Sequence, residues 1–215
     1  MLSYLKLLQI LVALNLPYSC VSKKSAGSFF GTQKSIGFKH NIHFSSLCLN
    51  VPSIFRALNI LTAISKDKGT VLFVGSTKEV QKLFFFFKYS SHRTMFLTKW
   101  VSGLLTNWEQ LVSFINVFSF QQLSLLKKSK KLRFLKFFVE LRQKEKPALV
   151  IVFNYNTDIA AITQECLFEN TPVIVFGSFY TSFAEKIPYK IQVITRTFFT
   201  DWFFFQLFFN QINAK

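Results

Sequence analysis

Few residues in this chain have both the type and the spacing to do chemistry. The turn Gly75-Ser76-Thr77-Lys78 links an apolar run to a helix-like segment. A helix N-terminus there would offer free N–H groups and partial positive charge to a phosphate, with Lys78 beside it. Neither G-x-x-x-x-G-K-[ST] nor G-x-G-x-x-G occurs at this turn, whereas Ser76 and Glu79 stand at capping-box spacing. The expectation is therefore a capped structural turn. Glu165 and Glu169 form the only i, i+4 carboxylate pair on a helical stretch, and such a pair ordinarily marks a solvated face. Cys166 would need a base to act as a nucleophile, yet no histidine follows it, and its helical position predicts burial.

Metal and disulfide chemistry find equally little support. Cys20, Cys48 and Cys166 are widely spaced with no C-x-x-C pair, and His40 and His43 lack a nearby third ligand. No metal, cofactor, disulfide framework or enzymatic activity is expected.

Charge points elsewhere. With 26 Lys+Arg against 10 Asp+Glu the formal net charge is +16, so the natural partner is a polyanion, either nucleic acid or an anionic membrane. Lys34, Lys39, His40 and His43 cluster in a Ser/Gly/Lys-rich loop region and could meet phosphates. Between Leu123 and Lys146 stand Lys127, Lys128, Lys130, Lys131, Arg133, Lys136, Arg142, Lys144 and Lys146, offset only by Glu140 and Glu145. A solvated helix face is the ordinary meaning of such a run, but in so basic a chain it would also bind phosphates by counterion release. Leu132, Leu135 and Val139 at a and d spacing make a short basic helical hairpin plausible.

The elements that must position these groups alternate between strand and helix. Thr70–Val74, Pro147–Phe153 and Thr171–Phe176 are short apolar runs rich in β-branched residues, the pattern of strands buried on both faces. Helical spacing follows or precedes each: Leu47, Val51, Ile54, Leu58 and Leu61 over Leu47–Ile64 before the first, Val80, Leu83, Phe84 and Phe87 after it, and Ile159, Ile162, Thr163 and Cys166 after the second. Pro52 suits a helix that begins there. Thr200 is a fair N-cap for a Phe-rich helix over Asp201–Asn210 that should cover a sheet face and is too short to span a bilayer. Such alternation predicts an α/β fold with parallel strand pairs. Residues 1–215 form one domain, with a basic helical hairpin inserted at 109–146 and an N-terminal extension or helix at 1–26. Met1–Leu16 is apolar apart from Lys6 and is read as an amphipathic helix, with a signal-peptide h-region as its rival and a transit peptide disfavoured because no Arg precedes Arg56.

Phenylalanine occurs 29 times, including the run Phe84–Phe87, which a helix burying one face does not require. Phe and Lys codons are A/T-rich, so composition suggests an A/T-biased genome such as an organellar one.

Two motifs then carry a resemblance. Lys99-Trp100-Val101-Ser102-Gly103-Leu104-Leu105-Thr106-Asn107-Trp108 resembles the Arg-Trp-Leu-Gly-Gly-x-Leu-Thr-Asn-Trp signature of ribosomal protein S-two, the second protein of the small ribosomal subunit. Gly69–Lys78 is similar to that family's Gly-x-Ile-Leu-Phe-Val-Gly-Thr-Lys, and Gly27–Gln33 to its Gly-Val-His-Phe-Gly-His-Gln with both histidines replaced, by Phe29 and Thr32. Carboxylates that the family carries after two strands are replaced by Asn154 and by Gly177-Ser178, which argues further against metal or acid–base chemistry.

The resemblance implies a three-layer α/β domain with a mostly parallel central sheet, acting as a structural constituent of the small ribosomal subunit, and the composition adds the expectation of a mitochondrial member in the matrix, encoded in the organelle genome. Its partners would be small-subunit rRNA and neighbouring ribosomal proteins, without stable membrane insertion or independent homo-oligomers. The family's projecting α-hairpin would be shortened here. Candidate RNA-binding residues are Lys34, Lys39, Arg93, Lys99, Asn107, Lys127, Lys128, Lys130 and Lys131. Trp100 and Trp108 could stack on bases, although burial is the preferred role. The rival readings are a nucleotide-binding α/β enzyme using the Gly75–Lys78 turn and a basic membrane-surface protein.

Overall fold

The computed structural model describes residues 6, 9–10, 18–20, 35–39, 42–45, 47–87, 91–117, 145–153, 159–177, 187, 189–192 and 198–213. In chain order these form β1 (Tyr18–Cys20), β2 (Ser35–Lys39), β3 (Ile42–Ser45), α1 (Leu47–Lys66), β4 (Val71–Gly75), α2 (Lys78–Phe87), β5 (Thr94–Leu97), α3 (Trp108–Val117), β6 (Leu149–Phe153), α4 (Ile159–Phe168), β7 (Val173–Gly177), β8 (Tyr189–Gln192) and α5 (Phe198–Asn213).

Continuous apolar runs become central strands because both of their faces are covered. The principal sheet has the order β5-β4-β6-β7-β8, and every neighbouring pair is parallel. Val71 stands opposite Thr94 on one side and Leu149 on the other. Alternation along the strands then divides the core in two. Val71, Phe73, Leu149, Ile151, Phe153, Ile174 and Phe176 face α1, α2 and α5, while Leu72, Val74, Val150, Val152, Val173 and Val175 face the 100–108 segment, α3 and α4. This is the three-layer α/β arrangement expected from the sequence.

Rings dominate the first face. Phe73 packs on Phe205 at 5.1 Å between centroids, Phe176 on Phe204 at 4.3 Å, and Phe87 on both Phe205 and Phe209 at 5.0 Å. Helix α2 buries Val80, Leu83 and Phe84 and half-buries Phe87, as its spacing predicts. α1 and α4 each end in a Schellman-type turn, with Lys68 at φ 58° and Asn170 at φ 52° in the left-handed position. Polar ties gather at the amino end of the sheet. Ser65 Oγ donates to Ile212 O, Gln211 Nε2 donates to Thr62 Oγ1, and Lys146 pairs with Glu169.

Several boundaries differ from the sequence reading. α1 begins at Leu47 and carries Pro52 inside it, held by the burial of Val51, Ile54, Ala57 and Leu61. α5 begins at Phe198, so Thr200 lies buried in its first turn and is not its cap. At α2 it is Thr77 Oγ1 that accepts the Val80 N–H, at 3.4 Å. Lys39 and His43 belong to strands, not a loop, since β2 and β3 pair antiparallel with Phe38 opposite His43 in a second sheet of order β1-β3-β2. Of Met1–Leu16 only Lys6, Gln9 and Ile10 are described, and Gly27–Gln33 and most of the 109–146 hairpin lie outside the described residues.

Gly75 is required by close packing: an added Cβ would run into Val80 Cγ1 and stand 3.2 Å from Phe84 Cζ. Gly75→Ala should therefore push α2 off the end of β4 and cost about 1–3 kcal/mol, read as a lower midpoint in thermal or urea unfolding.

Candidate nucleic-acid interface and the clamped turn

After β5 the chain must reverse to reach α3, and residues 98–107 do this in a run of turns. Trp100, Leu104, Leu105 and Trp108 point into the second core, while Thr98, Lys99, Ser102, Thr106 and Asn107 are exposed. Within the turn, Leu104 N–H donates to Val101 O at 3.2 Å and Asn107 N–H to Gly103 O at 3.0 Å. Other backbone donors are left facing inward.

One side chain takes them. Glu165, half-buried on α4, accepts the Gly103 N–H at 3.0 Å and the Trp100 Nε1–H at 3.2 Å on Oε2, and the Leu105 N–H at 2.6 Å and Thr106 N–H at 3.3 Å on Oε1. Successive N–H groups wrapped round an anion form a nest, and the charged acceptor strengthens each bond. Gly103 makes this possible with φ +85°, a conformation that side-chain-bearing residues rarely adopt. The sequence reading of Glu165 and Glu169 as a solvated pair is thus corrected: one clamps the signature turn, and the other pairs with Lys146. A signal was present, since Glu165 lies beside Cys166 and three residues after Ile162, on the edge of the buried stripe of α4.

Trp100 and Trp108 are each 6% exposed, so their rings are not available to bases. Burial was the role preferred from sequence. Cys166 is 0% exposed, and its thiol is pushed from its ordinary value near 9 up to about 12 by burial first and by the Glu165 charge second.

The candidate contact residues are not gathered in one place. Lys99 and Asn107 are exposed on the turn at the carboxyl end of β5. Arg93 precedes the same strand at its amino end, half-buried, and its Nη1 donates to Ser65 O at 3.2 Å in the last turn of α1, where a cation complements the helix dipole. Lys39 ends β2 in the three-stranded sheet. Lys34, Lys127, Lys128, Lys130 and Lys131 lie outside the described residues.

The sheet also offers a crevice where ligands bind in many open α/β folds. The chain leaves β4 towards β5 and leaves β6 towards β7, so the carboxyl ends of β4 and β6 form the switch point. Gly75, Ser76, Lys99, Trp100, Phe153 and Ile159 line a cavity there of about 20 Å³. That is room for roughly one water, against about 300–1,000 Å³ for a small-molecule site. Among the described residues the rival reading of a nucleotide held by the Gly75–Lys78 turn has no preformed pocket of that size at this crevice. Among the described residues no group of three or more His, Cys, Asp or Glu side chains is placed to hold a metal.

These features define a doubly wound α/β scaffold whose most specific local structure is a clamped turn with an exposed polar rim. Residues 31–192, more than half of the chain, match the family described as Ribosomal protein S2, and the chain belongs to that family. It is similar to the small ribosomal subunit protein uS2 of Erythrobacter litoralis, 31% identical over 96 residues that cover 40% of this chain and 39% of that protein. The uS2 protein of Xanthobacter autotrophicus is 30% identical over 104 residues, covering 44% of this chain and 31% of its own. The matches thus span well under half the length of these relatives.

Two outcomes follow from the clamp. Glu165→Gln replaces one acceptor oxygen with an amide that faces N–H donors, and should cost about 2–3 kcal/mol of unfolding free energy with a change in the near-ultraviolet dichroism of Trp100. In a Cys20→Ser/Cys48→Ser background, Cys166 should resist iodoacetamide at pH 8 until the chain is unfolded. Because its folded pKa is raised, its contribution to stability is complete below about pH 9 and is lost as pH rises towards about 12. Urea midpoints across that range measure this.

Proposed function

We propose that the chain is a structural constituent of the small ribosomal subunit, binding small-subunit rRNA and neighbouring ribosomal proteins in translation and carrying out no catalysis itself. The observation that carries this reading is the family match across residues 31–192, which includes the clamped turn and both clear βαβ segments. Net charge of +16 supports a nucleic-acid partner. No described helix is long and apolar enough to cross a membrane.

In this reading the rRNA backbone is held at several separate points by Lys34, Lys39, Lys99, Asn107, Lys127, Lys128, Lys130 and Lys131. Arg93 uses one guanidinium nitrogen on α1 and has further donors for phosphate. Residues 1–215 act as one unit, with 109–146 as a shortened basic hairpin and 1–26 as an extension, and the protein functions within the ribosome without forming its own homo-oligomer. Placement in the mitochondrial matrix, from an organelle gene, rests on the A/T-biased composition, with its 29 Phe. The similar proteins named above are bacterial.

Sedimentation of an organelle or cell lysate at low and high magnesium tests the reading. The chain is expected in the small-subunit peak under both conditions. Its appearance at the top of the gradient, apart from small-subunit rRNA, would overturn the assignment.

A further inference from the structure

We propose that the outer face of α2 is a contact for single-stranded RNA, in which Phe85 and Phe86 stack on unpaired bases while Lys78 and Lys82 meet the flanking phosphates. This deepens the rRNA-binding reading and rests on it.

Phe85 is 74% exposed and Phe86 73%, in a helix whose inward face is already complete. Phe84 and Phe87 make the contacts with Phe96, Phe205 and Phe209 that dock α2, so the fold does not use the two outer rings. They stand edge to face, 6.3 Å between centroids and 75° between planes. Lys82 lies three and four residues before them and therefore shares their patch of helix surface, and Lys78 lies one turn further along the same line. Both lysines are exposed, and Glu79 is the one acidic residue in the helix.

The choice of partner follows from where the charge sits. Centres of protein–protein interfaces are depleted in lysine, yet here the exposed Lys82 stands one helical turn before the two rings on the same patch of surface. Single-stranded RNA asks for this mixture, with cations along the backbone and aromatic faces for splayed bases. The rings are also presented by a helix docked on the sheet, so little ordering is left for binding.

The test uses the full chain and a fluorescent oligoadenylate, with the same variants followed into the small subunit. Because the rings are exposed, Phe85→Leu/Phe86→Leu and Phe85→Tyr/Phe86→Tyr should melt like the wild type. The Leu pair, which keeps apolar area but removes the aromatic faces, should bind oligoadenylate about tenfold or more weakly, while the Tyr pair retains affinity. Lys82→Gln should lower the slope of log affinity against log salt by about 0.7. Ultraviolet crosslinks to rRNA in the assembled subunit should map to Phe85 or Phe86. Unchanged oligoadenylate affinity in the Leu pair, or a crosslink from these positions to a protein, would overturn the inference even if the chain still co-sediments with the small subunit. Loss of co-sedimentation by the wild type would instead strike the functional reading, and the oligoadenylate measurement would still decide whether this face binds RNA.

Discussion

The Glu165 carboxylate is the interaction on which the second face of the sheet depends. It belongs to α4, which is seated on β6 and β7 through Ile162 and Cys166, and it receives N–H groups from a turn about sixty positions earlier in the chain. Without an acceptor those donors would sit half-buried and unpaired, each costing about 1–3 kcal/mol. With it, Trp100, Leu104, Leu105 and Trp108 are drawn under α4 and α3 in one arrangement, and Thr98, Lys99, Ser102, Thr106 and Asn107 are left facing outward. The polar rim is a by-product of the clamp beneath it.

The opposite face is held by different physics. There α1 brings aliphatic side chains to the sheet while α2 and α5 bring mainly rings, and offset or tilted ring pairs at about 4.5–7 Å are favourable without a directional partner. Phe205 alone lies within 6.0 Å of Phe73, Phe84, Phe87, Phe96 and Phe153. A composition skewed towards phenylalanine is thus absorbed wherever the spacing turns a ring inward. Phe85, Phe86, Phe168 and Phe199 are residues for which the spacing does not.

What the sequence made legible follows the strength of the hydrophobic signal. β4, β6 and β7 could be read because strands covered on both faces are apolar at nearly every position, and the inward side of α2 because its apolar residues recur at helical spacing. Edge and hairpin strands were less legible. β8 reads Tyr-Lys-Ile-Gln, with Ile191 its one fully buried side chain among those described, and β2 and β3 are short segments amid polar residues. The start of α1 at Leu47 follows its apolar spacing, and Pro52 is carried inside the helix because tertiary burial outweighs its local cost. The clamp made by Glu165 and the bond from Arg93 to the end of α1 were not legible because their partners, a distant turn and a helix end, are brought to them only by the fold.

α5 has a further consequence for how the chain reaches its native state. It supplies Phe204, Phe205, Phe208, Phe209 and Ile212 to the core that also covers β4, β6 and β7, and it is the last element described. During synthesis the parallel strands would emerge with one face only partly covered, by α1 and α2, and parallel pairing between distant segments is slow to form. Cooperative locking of the domain must therefore wait until this helix has left the exit tunnel. Until then the part of the aromatic surface that α5 covers stays open to water, the condition in which incompletely folded chains aggregate.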